Sequence, residues 1–169
     1  DGNGSYIVDR TTETDNLMSF KMVNTDKYNY QKRNNGGNNL EGPVSVTTAP
    51  TGAFTFINYY RDYNDGYGIY IDGRLDVTTT NNDDDAITGP TLQLGRHAVN
   101  ANQGLYGELA EVILYDDVLS TAERRRIESY LAIKYGMSLD QTTLTNYVNS
   151  AGNTIYPVAS TASFNAYKY

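Results

Sequence analysis

One stretch of the sequence decides the fold: Gly107-Glu108-Leu109-Ala110-Glu111-Val112-Ile113-Leu114-Tyr115-Asp116-Asp117-Val118-Leu119-Ser120-Thr121-Ala122-Glu123. Residues 112–115 form an apolar run of the types that favour β-strands. Ser120 and Glu123 have the spacing of a capping box, in which the serine hydroxyl accepts a bond from the Glu123 amide and the glutamate bonds back to the serine amide. The sequence therefore predicts a last long strand over 105–115 that leads directly into a helix.

The helix is also marked along its length and at its end. Ile127, Tyr130, Leu131 and Tyr135 recur at helical spacing, which indicates one apolar side. Gly136 follows at the position where a left-handed residue commonly ends a helix. We expect one amphipathic helix over about 120–135.

Composition indicates what surrounds this helix. The chain has 169 residues, of which 39% are hydrophobic, and it contains 16 Tyr, 15 Gly, no Cys and no Trp. This length suits one domain with a full core and a short appendage, and the wealth of Tyr, Thr, Asn and Gly favours β-structure with long polar loops. We expect a β-domain over 1–136, and an extension or the start of a following module over 137–169.

Charge and residue types exclude several functions. A net charge of −7 argues against nucleic-acid binding, because phosphate contacts need clustered Lys and Arg. Residues 124–126 are all Arg, but we interpret this run as the solvated face of a helix rather than as a binding patch. Without Cys there can be no disulfide, thiolate nucleophile or thiolate metal site. No apolar run approaches the roughly 18–20 residues that a membrane-spanning helix needs.

Strands are predicted upstream of the helix. The stretches 17–23 and 27–32 alternate between polar and apolar residues, and 54–60 is apolar on both faces, as a central strand would be. A hairpin is expected around Asp72-Gly73. A two-residue turn would set Ile71 opposite Arg74, whereas a three-residue connection sets Ile71 opposite Leu75, and the better apolar pairing favours the latter.

Three motifs together carry a family resemblance. They are Gly68-Ile69-Tyr70-Ile71-Asp72-Gly73-Arg74-Leu75, Leu94-Gly95-Arg96 and the 107–123 stretch. This set resembles the concanavalin A-like, LamG-like jelly-roll domains. The resemblance, which covers about residues 50–156, implies an all-β jelly-roll sandwich with one C-terminal helix. It also implies that the first strands of the sandwich lie upstream of Asp1.

The residues of the helix narrow the resemblance. The run 126–136, with Asn146-Tyr147-Val148 after it, is similar to the version of the domain found in large cell-surface proteins of Bacteroidota, which are commonly exported by type IX secretion. The resemblance implies an extracellular, cell-surface location. It leaves the function open, because one fold hosts many functions.

A catalytic role is not predicted. A jelly-roll glycanase needs two carboxylates on one face of a strand, about 5 Å apart in a retaining enzyme. Strand side chains alternate between faces, so Glu108 and Glu111, three residues apart, would point to opposite faces. His97 is the only His, and it is interpreted as a structural loop residue.

Calcium is the metal that the acidic loops suit best, because Ca²⁺ prefers hard oxygen ligands. Neither loop has the spacing of an EF-hand, since Ala86 stands where the glycine belongs. A solvated acidic loop is the alternative. The candidate ligands are Asp83, Asp84 and Asp85 in one loop and Asp62 and Asp65 in the other.

Tyrosines are the candidates for ligand binding, because their rings can stack on sugars. The densest group comprises Tyr59, Tyr60, Tyr63 and Tyr67. The alternative is that these rings are half-buried strand aromatics.

These observations predict a non-catalytic module of a secreted bacterial cell-surface protein, serving adhesion or structural display. Its expected partners are neighbouring modules of the same large protein, cell-surface glycans or components of the secretion system. The alternative is a lectin-like, glycan-binding domain that could depend on calcium. A glycan-cleaving enzyme ranks third.

Overall fold

A computed structural model describes residues 5–10, 18–23, 26–33, 40–62, 66–80, 92–97 and 102–158. Within these ranges the protein is mostly β, with antiparallel sheets and one helix, as the sequence predicts. The elements are β1 (Ser5–Arg10), β2 (Met18–Val23), β3 (Lys27–Arg33), β4 (Leu40–Glu41), β5 (Val44–Thr48), β6 (Ile57–Asp62), β7 (Gly66–Ile71), β8 (Arg74–Thr79), β9 (Gln93–Leu94), α1 (Thr121–Tyr135), β10 (Tyr147–Val148) and β11 (Thr154–Tyr156).

The largest sheet runs in the order β4-β3-β2-β1-β9, and β5 also pairs with β3. Its β2 and β3 strands form where the alternation of polar and apolar residues predicts them. Phe20 pairs with Tyr30 and Ser19 pairs with Gln31, so the two faces of the sheet carry different chemistry. One face is aromatic and the other is polar.

A second sheet has the order β6-β7-β8. Its first strand begins at Ile57, so the prediction that the strand begins at Phe54 is wrong. The Phe56 amide bonds to the Asp72 carboxylate, and the Phe56 carbonyl accepts a bond from the Asp72 amide. This turn residue therefore holds the backbone just before β6, outside the strand.

The hairpin between β7 and β8 has a two-residue turn, which corrects the predicted three-residue connection. The strands end at Ile71 and begin again at Arg74. Asp72 and Gly73 both have left-handed backbones, with φ of +49° and +85°. Two successive positive φ values are typical of the tight turn that matches strand twist, and this local geometry outweighs the better apolar pairing.

The predicted strand over 105–115 is absent from the described structure. An isolated bridge between Arg96 and Gly104 precedes this stretch, and no strand follows before α1. A strand exists only where a neighbouring strand supplies its hydrogen-bond partners. A favourable sequence pattern alone could not provide that neighbour.

Helix α1 confirms the predicted helix and both of its ends. The Glu123 amide donates to the Ser120 hydroxyl oxygen at 3.3 Å, and the Ser120 amide donates to the Glu123 carboxylate at 2.9 Å. Gly136 has a φ of +65°, and its amide bonds to the Ala132 carbonyl. No helix in the described ranges is long and apolar enough to cross a membrane.

The chain divides into two compact units. In the second unit, a core formed by Phe56, Ala132, Leu139, Tyr147 and Val158 joins α1 to the residues that follow it. The predicted domain boundary after residue 136 stays a prediction. The first unit comprises Asp1–Ala49, Tyr59–Ile69 and Asp76–Leu114, and the second comprises Pro50–Asn58, Tyr70–Leu75 and Tyr115–Tyr169.

Candidate functional site

Two of the predicted ligand-binding tyrosines pack in the interior of the first unit. Tyr67 is only 1% exposed, and its ring centroid lies 5.1 Å from that of Tyr30. Tyr59 stacks on Phe20 with ring centroids 4.1 Å apart. We refer to Phe20, Tyr30, Tyr59 and Tyr67 as the aromatic cluster. Its rings join the second sheet to the aromatic face of the first, so a ligand has no open face of Tyr67 on which to stack.

The hydroxyl of Tyr59 is buried and has no hydrogen-bond partner in the described part of the chain. Burial, reinforced by the nearby Tyr28, raises the pKa of Tyr59 well above its ordinary value. The phenol therefore stays neutral across the physiological range, because an unpaired phenolate would be costly to bury. This residue is suited to packing rather than to acid–base chemistry.

Tyr60 also has a packing role. A Cβ added to Gly68 would lie 2.1 Å from a carbon of the Tyr60 ring, so the glycine makes room for the ring. The Tyr60 hydroxyl lies 3.3 Å from the Thr78 hydroxyl, and the latter donates to the Tyr67 carbonyl. The fourth predicted tyrosine, Tyr63, lies outside the described residues.

The opposite face of the same sheet carries a group of buried polar side chains, which we call the polar row: Ser19, Lys21, Asn29 and Gln31. The Asn29 amide donates to the carbonyls of Tyr30 and Pro43, at 3.1 and 3.2 Å. The Ser19 hydroxyl is fully buried and has no partner within the described ranges. The row offers hydroxyl and carboxamide groups that can bond to other uncharged polar groups.

The polar row is a feature that the sequence interpretation missed. Its signal is the spacing by two in Ser19-x-Lys21 and in Asn29-x-Gln31, which places the polar residues of both strands on one face. Polar residues on a strand usually indicate a solvated face. Their burial could be recognised only once the sheet was assembled.

The predicted calcium ligands are not brought together by the described structure. Asp62 lies at the end of β6, whereas Asp65 and the run 83–85 lie outside the described residues. The described ranges contain no group of three or more metal-ligating side chains. The calcium hypothesis therefore remains a prediction.

Several described carboxylates are engaged by the protein itself. Asp76 of β8 accepts bonds from the amides of Val46 and Thr47 on β5, at 2.6 and 3.1 Å, and from the Thr47 hydroxyl. Asp140 accepts a bond from the Thr142 amide at 2.9 Å. Charge-assisted bonds of this kind hold backbone segments in place.

Glu128 is the most buried of these acids and belongs to the second unit. Its carboxylate lies 3.2 Å from the Arg124 guanidinium and 3.1 Å from that of Arg125. Burial raises the pKa of Glu128, and the two guanidinium groups oppose that shift. A Cβ added to Gly73 would lie 3.2 Å from a Glu128 oxygen, so the hairpin turn lies close against this ion pair.

Asp72, in the same turn, also has structural partners. Its carboxylate accepts bonds from the Thr55 hydroxyl at 2.9 Å and from the Phe56 amide at 3.1 Å. Burial raises the pKa of Asp72, the two hydrogen bonds oppose the shift, and the negative charge of Asp140 adds to it. Asp72 thus connects the hairpin turn to Thr55 and Phe56. Glu128, in α1, lies close to the same turn, and all of these residues belong to one compact unit.

The remaining candidates for chemistry are Glu108, Glu111 and His97. Glu108 and Glu111 lie in a stretch without strand structure, so the argument from alternating strand faces no longer applies to them. The His97 amide donates to the Gln103 carbonyl at 2.8 Å, in the loop that follows β9.

Comparison with known proteins identifies the family. A family model described as the concanavalin A-like lectin/glucanases superfamily matches residues 1–123, well over half of the chain. The chain belongs to the concanavalin A-like superfamily. The resemblance noted in the sequence is thereby confirmed at the level of the superfamily. Because the superfamily includes both lectins and glucanases, membership does not define an activity.

A second family model, a domain of unknown function named DUF8202, matches residues 123–167. The first match ends and the second begins at Glu123, in the first turn of α1. The start of this helix therefore lies in the first match and the rest of it in the second.

One solved structure is similar to this concanavalin A-like chain, namely an S-layer domain-containing protein (residues 221–444) from Clostridium thermocellum ATCC 27405. The identity is 14% and the TM-score 0.41, and the match covers 75% of this chain and 63% of the other. The chain therefore spans less than two thirds of that structure. No curated protein matches the chain.

Proposed function

We propose that this chain is a non-catalytic module of a secreted bacterial cell-surface protein, where it serves adhesion or structural display. The observation that supports this role best is that five of the described carboxylates have structural partners. Asp72, Asp76, Asp140, Glu123 and Glu128 are all bound by backbone amides, hydroxyls or guanidinium groups of the chain itself. Glycoside hydrolysis needs two carboxyl groups held on either side of a bound sugar, whereas these five acids hold backbone segments and side chains of the chain in place.

We further propose that the two main sheets are layers of a jelly-roll sandwich. The aromatic cluster supports this arrangement, because Phe20 and Tyr30 of the first sheet pack against Tyr59 and Tyr67 of the second. Sheets that pack face to face build a core from such inward-pointing residues. The extracellular location and type IX export rest on the sequence resemblance.

The proposed role is tested by assaying cleavage and location separately. The chain, incubated with a panel of plant and bacterial polysaccharides, is expected to release no reducing ends above a heat-denatured sample. Antibodies against the chain are expected to label intact cells of the source bacterium. Labelling only after the cells are lysed would contradict the cell-surface location, and release of reducing ends would contradict the non-catalytic role.

A lectin-like domain is the second candidate. The family match favours it, because the superfamily is described as one of lectins and glucanases. A glycan array probed with and without calcium tests this candidate. Binding of a glycan in either condition would establish it, and absence of binding in both conditions would eliminate it.

Calcium dependence has its own measurement. A ligand that binds the folded state at one hundred times its Kd stabilises that state by about 2.7 kcal/mol. If the acidic loops bind calcium, the melting temperature should rise by about 5–10 °C relative to the chelated protein. A combined Asp83→Asn, Asp84→Asn and Asp85→Asn variant should lose that rise, and an equal melting temperature with calcium and with chelator would refute the site.

A further inference from the structure

The residues that follow α1 share a buried core with a segment far upstream in the sequence. We call residues 137–158 the C-terminal strap. Three of its side chains pack with Phe56, which precedes β6, and with one residue of α1. The members of this cluster, each at most 8% exposed, are Phe56, Ala132, Leu139, Tyr147 and Val158. Because burial of apolar surface is the main favourable term in folding, the shared core couples the strap to the upstream segment.

Backbone hydrogen bonds connect the strap to the hairpin turn between β7 and β8. The Asp140 amide donates to the Asp72 carbonyl at 2.8 Å, and the Asp72 amide donates to the Phe56 carbonyl at 3.0 Å. A Cβ added to Gly73 would lie 3.3 Å from the Leu139 side chain, so the turn and the strap are in close contact. The strap therefore contacts the turn through its backbone as well as through its side chains.

The strap is also fixed at its middle and at its end. The Val148 amide donates to the buried hydroxyl of Ser129 in α1, at 3.0 Å. The Val158 amide donates to the side-chain oxygen of Asn146 at 2.9 Å. Loss of such an acceptor would leave a partly buried amide unsatisfied, which costs more than the bond itself contributes. The whole length of the strap is thus tied to the second unit, rather than its first residues alone.

The boundary between the two family matches does not coincide with the boundary of this core. The matches divide the chain at Glu123, whereas the core contains Phe56 from the first match and Val158 from the second. A domain that folds separately has a hydrophobic core of its own. The residues of the two matches instead contribute to one core.

We propose that the strap, which lies within the match to the domain of unknown function, is a structural part of the concanavalin A-like domain. It docks on a surface of the same chain, formed by the segment around Phe56, the hairpin turn and α1. Its role is to hold these three elements in one cooperative unit. This inference does not depend on the proposed function, and it is the alternative to a module boundary after residue 136.

Hydrogen exchange of the backbone amides of the full chain, followed by mass spectrometry at several urea concentrations, tests the proposal. Val158→Ala truncates the core at the far end of the strap. Ile155→Ala is its matched control, because Ile155 lies in the strap but is 51% exposed. Phe56→Leu is the reciprocal change on the upstream side, and Phe54→Leu is its control, because Phe54 is 56% exposed. Circular dichroism verifies the fold of each variant.

In the unsubstituted chain, we expect the amides of residues 139–158 and 70–75 to exchange through one shared opening, so that their rates converge as urea rises. Val158→Ala should speed exchange about ten-fold or more in both regions, because its cost is felt by the whole cooperative unit. Phe56→Leu should speed exchange in both regions about five-fold. The two control substitutions should leave the rates within about two-fold of those in the unsubstituted chain.

Faster exchange that Val158→Ala confines to residues 139–158 would overturn the proposal, because the strap would then open as a separate module. Equal exchange in Val158→Ala and Ile155→Ala would overturn it as well. If a variant does not fold, the unsubstituted chain still decides the question. Two separate openings there, one for residues 139–158 and another for residues 70–75, would contradict a single cooperative unit.

Discussion

Truncation of Leu139 to Ala should destabilise the protein strongly. Leu139 is 1% exposed and belongs to the core of the second unit. Its backbone amide donates to the Tyr147 hydroxyl at 3.1 Å, and a Cβ added to Gly73 would lie 3.3 Å from its side chain. The ring of Tyr147 and the tight hairpin turn leave little freedom to fill the space that the missing atoms would vacate.

The expected cost follows from this confinement. Leu→Ala substitutions at buried sites cost about 2–5 kcal/mol, and the cost is larger where the surroundings cannot collapse. We expect about 3 kcal/mol for Leu139→Ala, which corresponds to a melting temperature lower by about 6–12 °C. Leu144→Ala is the matched control, because Leu144 is 49% exposed and should cost no more than about 0.5 kcal/mol.

Urea unfolding followed by far-ultraviolet circular dichroism measures both variants on the full chain. The reasoning is refuted if Leu139→Ala unfolds at the same urea concentration as Leu144→Ala. That result would mean that residues after α1 are not part of the core that contains Phe56.

Three further substitutions probe other parts of the fold. Ser120→Ala should lower the unfolding free energy by about 1 kcal/mol through loss of the capping box, measured by urea unfolding, with Thr121→Ala as a nearly neutral control. Gly68→Ala should cost about 1–3 kcal/mol, because its Cβ meets the ring of Tyr60, and a second substitution, Tyr60→Ala, should then cost less than it does alone. Burial raises the pKa of Glu128 above its usual value near 4.5, so the folded state holds this proton more tightly than the unfolded state does. The contribution of Glu128 to the unfolding free energy should therefore fall as pH rises from about 4.5 towards 7, and Glu128→Gln should flatten that dependence; an unchanged pH profile would contradict it.

Local signals in the sequence predicted the helix accurately. Ser120, Glu123 and Gly136 determine the ends of α1 through bonds to residues three or four positions away, so no knowledge of the rest of the fold was needed. The same holds for the alternation that predicted β2 and β3. The hairpin turn is also determined locally, by the turn preference of Asp72-Gly73. The predicted connection was wrong because the apolar pairing of Ile71 with Leu75 was given more weight than that preference.

Features that depend on distant partners could not be predicted in this way. Alternation shows that Ser19 and Lys21 share a face, but whether that face is covered depends on segments remote in sequence. The tyrosines posed the same difficulty, because an aromatic residue on a strand can as well fill a core as bind a ligand. The stretch 105–115 has a strand pattern without a partner strand in the described structure, and a pattern cannot supply one.

An assay of polysaccharide cleavage is the sharpest test of the proposed non-catalytic role. After prolonged incubation of the chain with a panel of polysaccharides, with and without calcium, we expect the same content of reducing ends as in a heat-denatured control. Release of reducing ends that is lost in a Glu108→Gln or Glu111→Gln variant of unchanged stability would contradict the non-catalytic role. It would show that these acids perform glycan hydrolysis in a chain that we assign to adhesion or display.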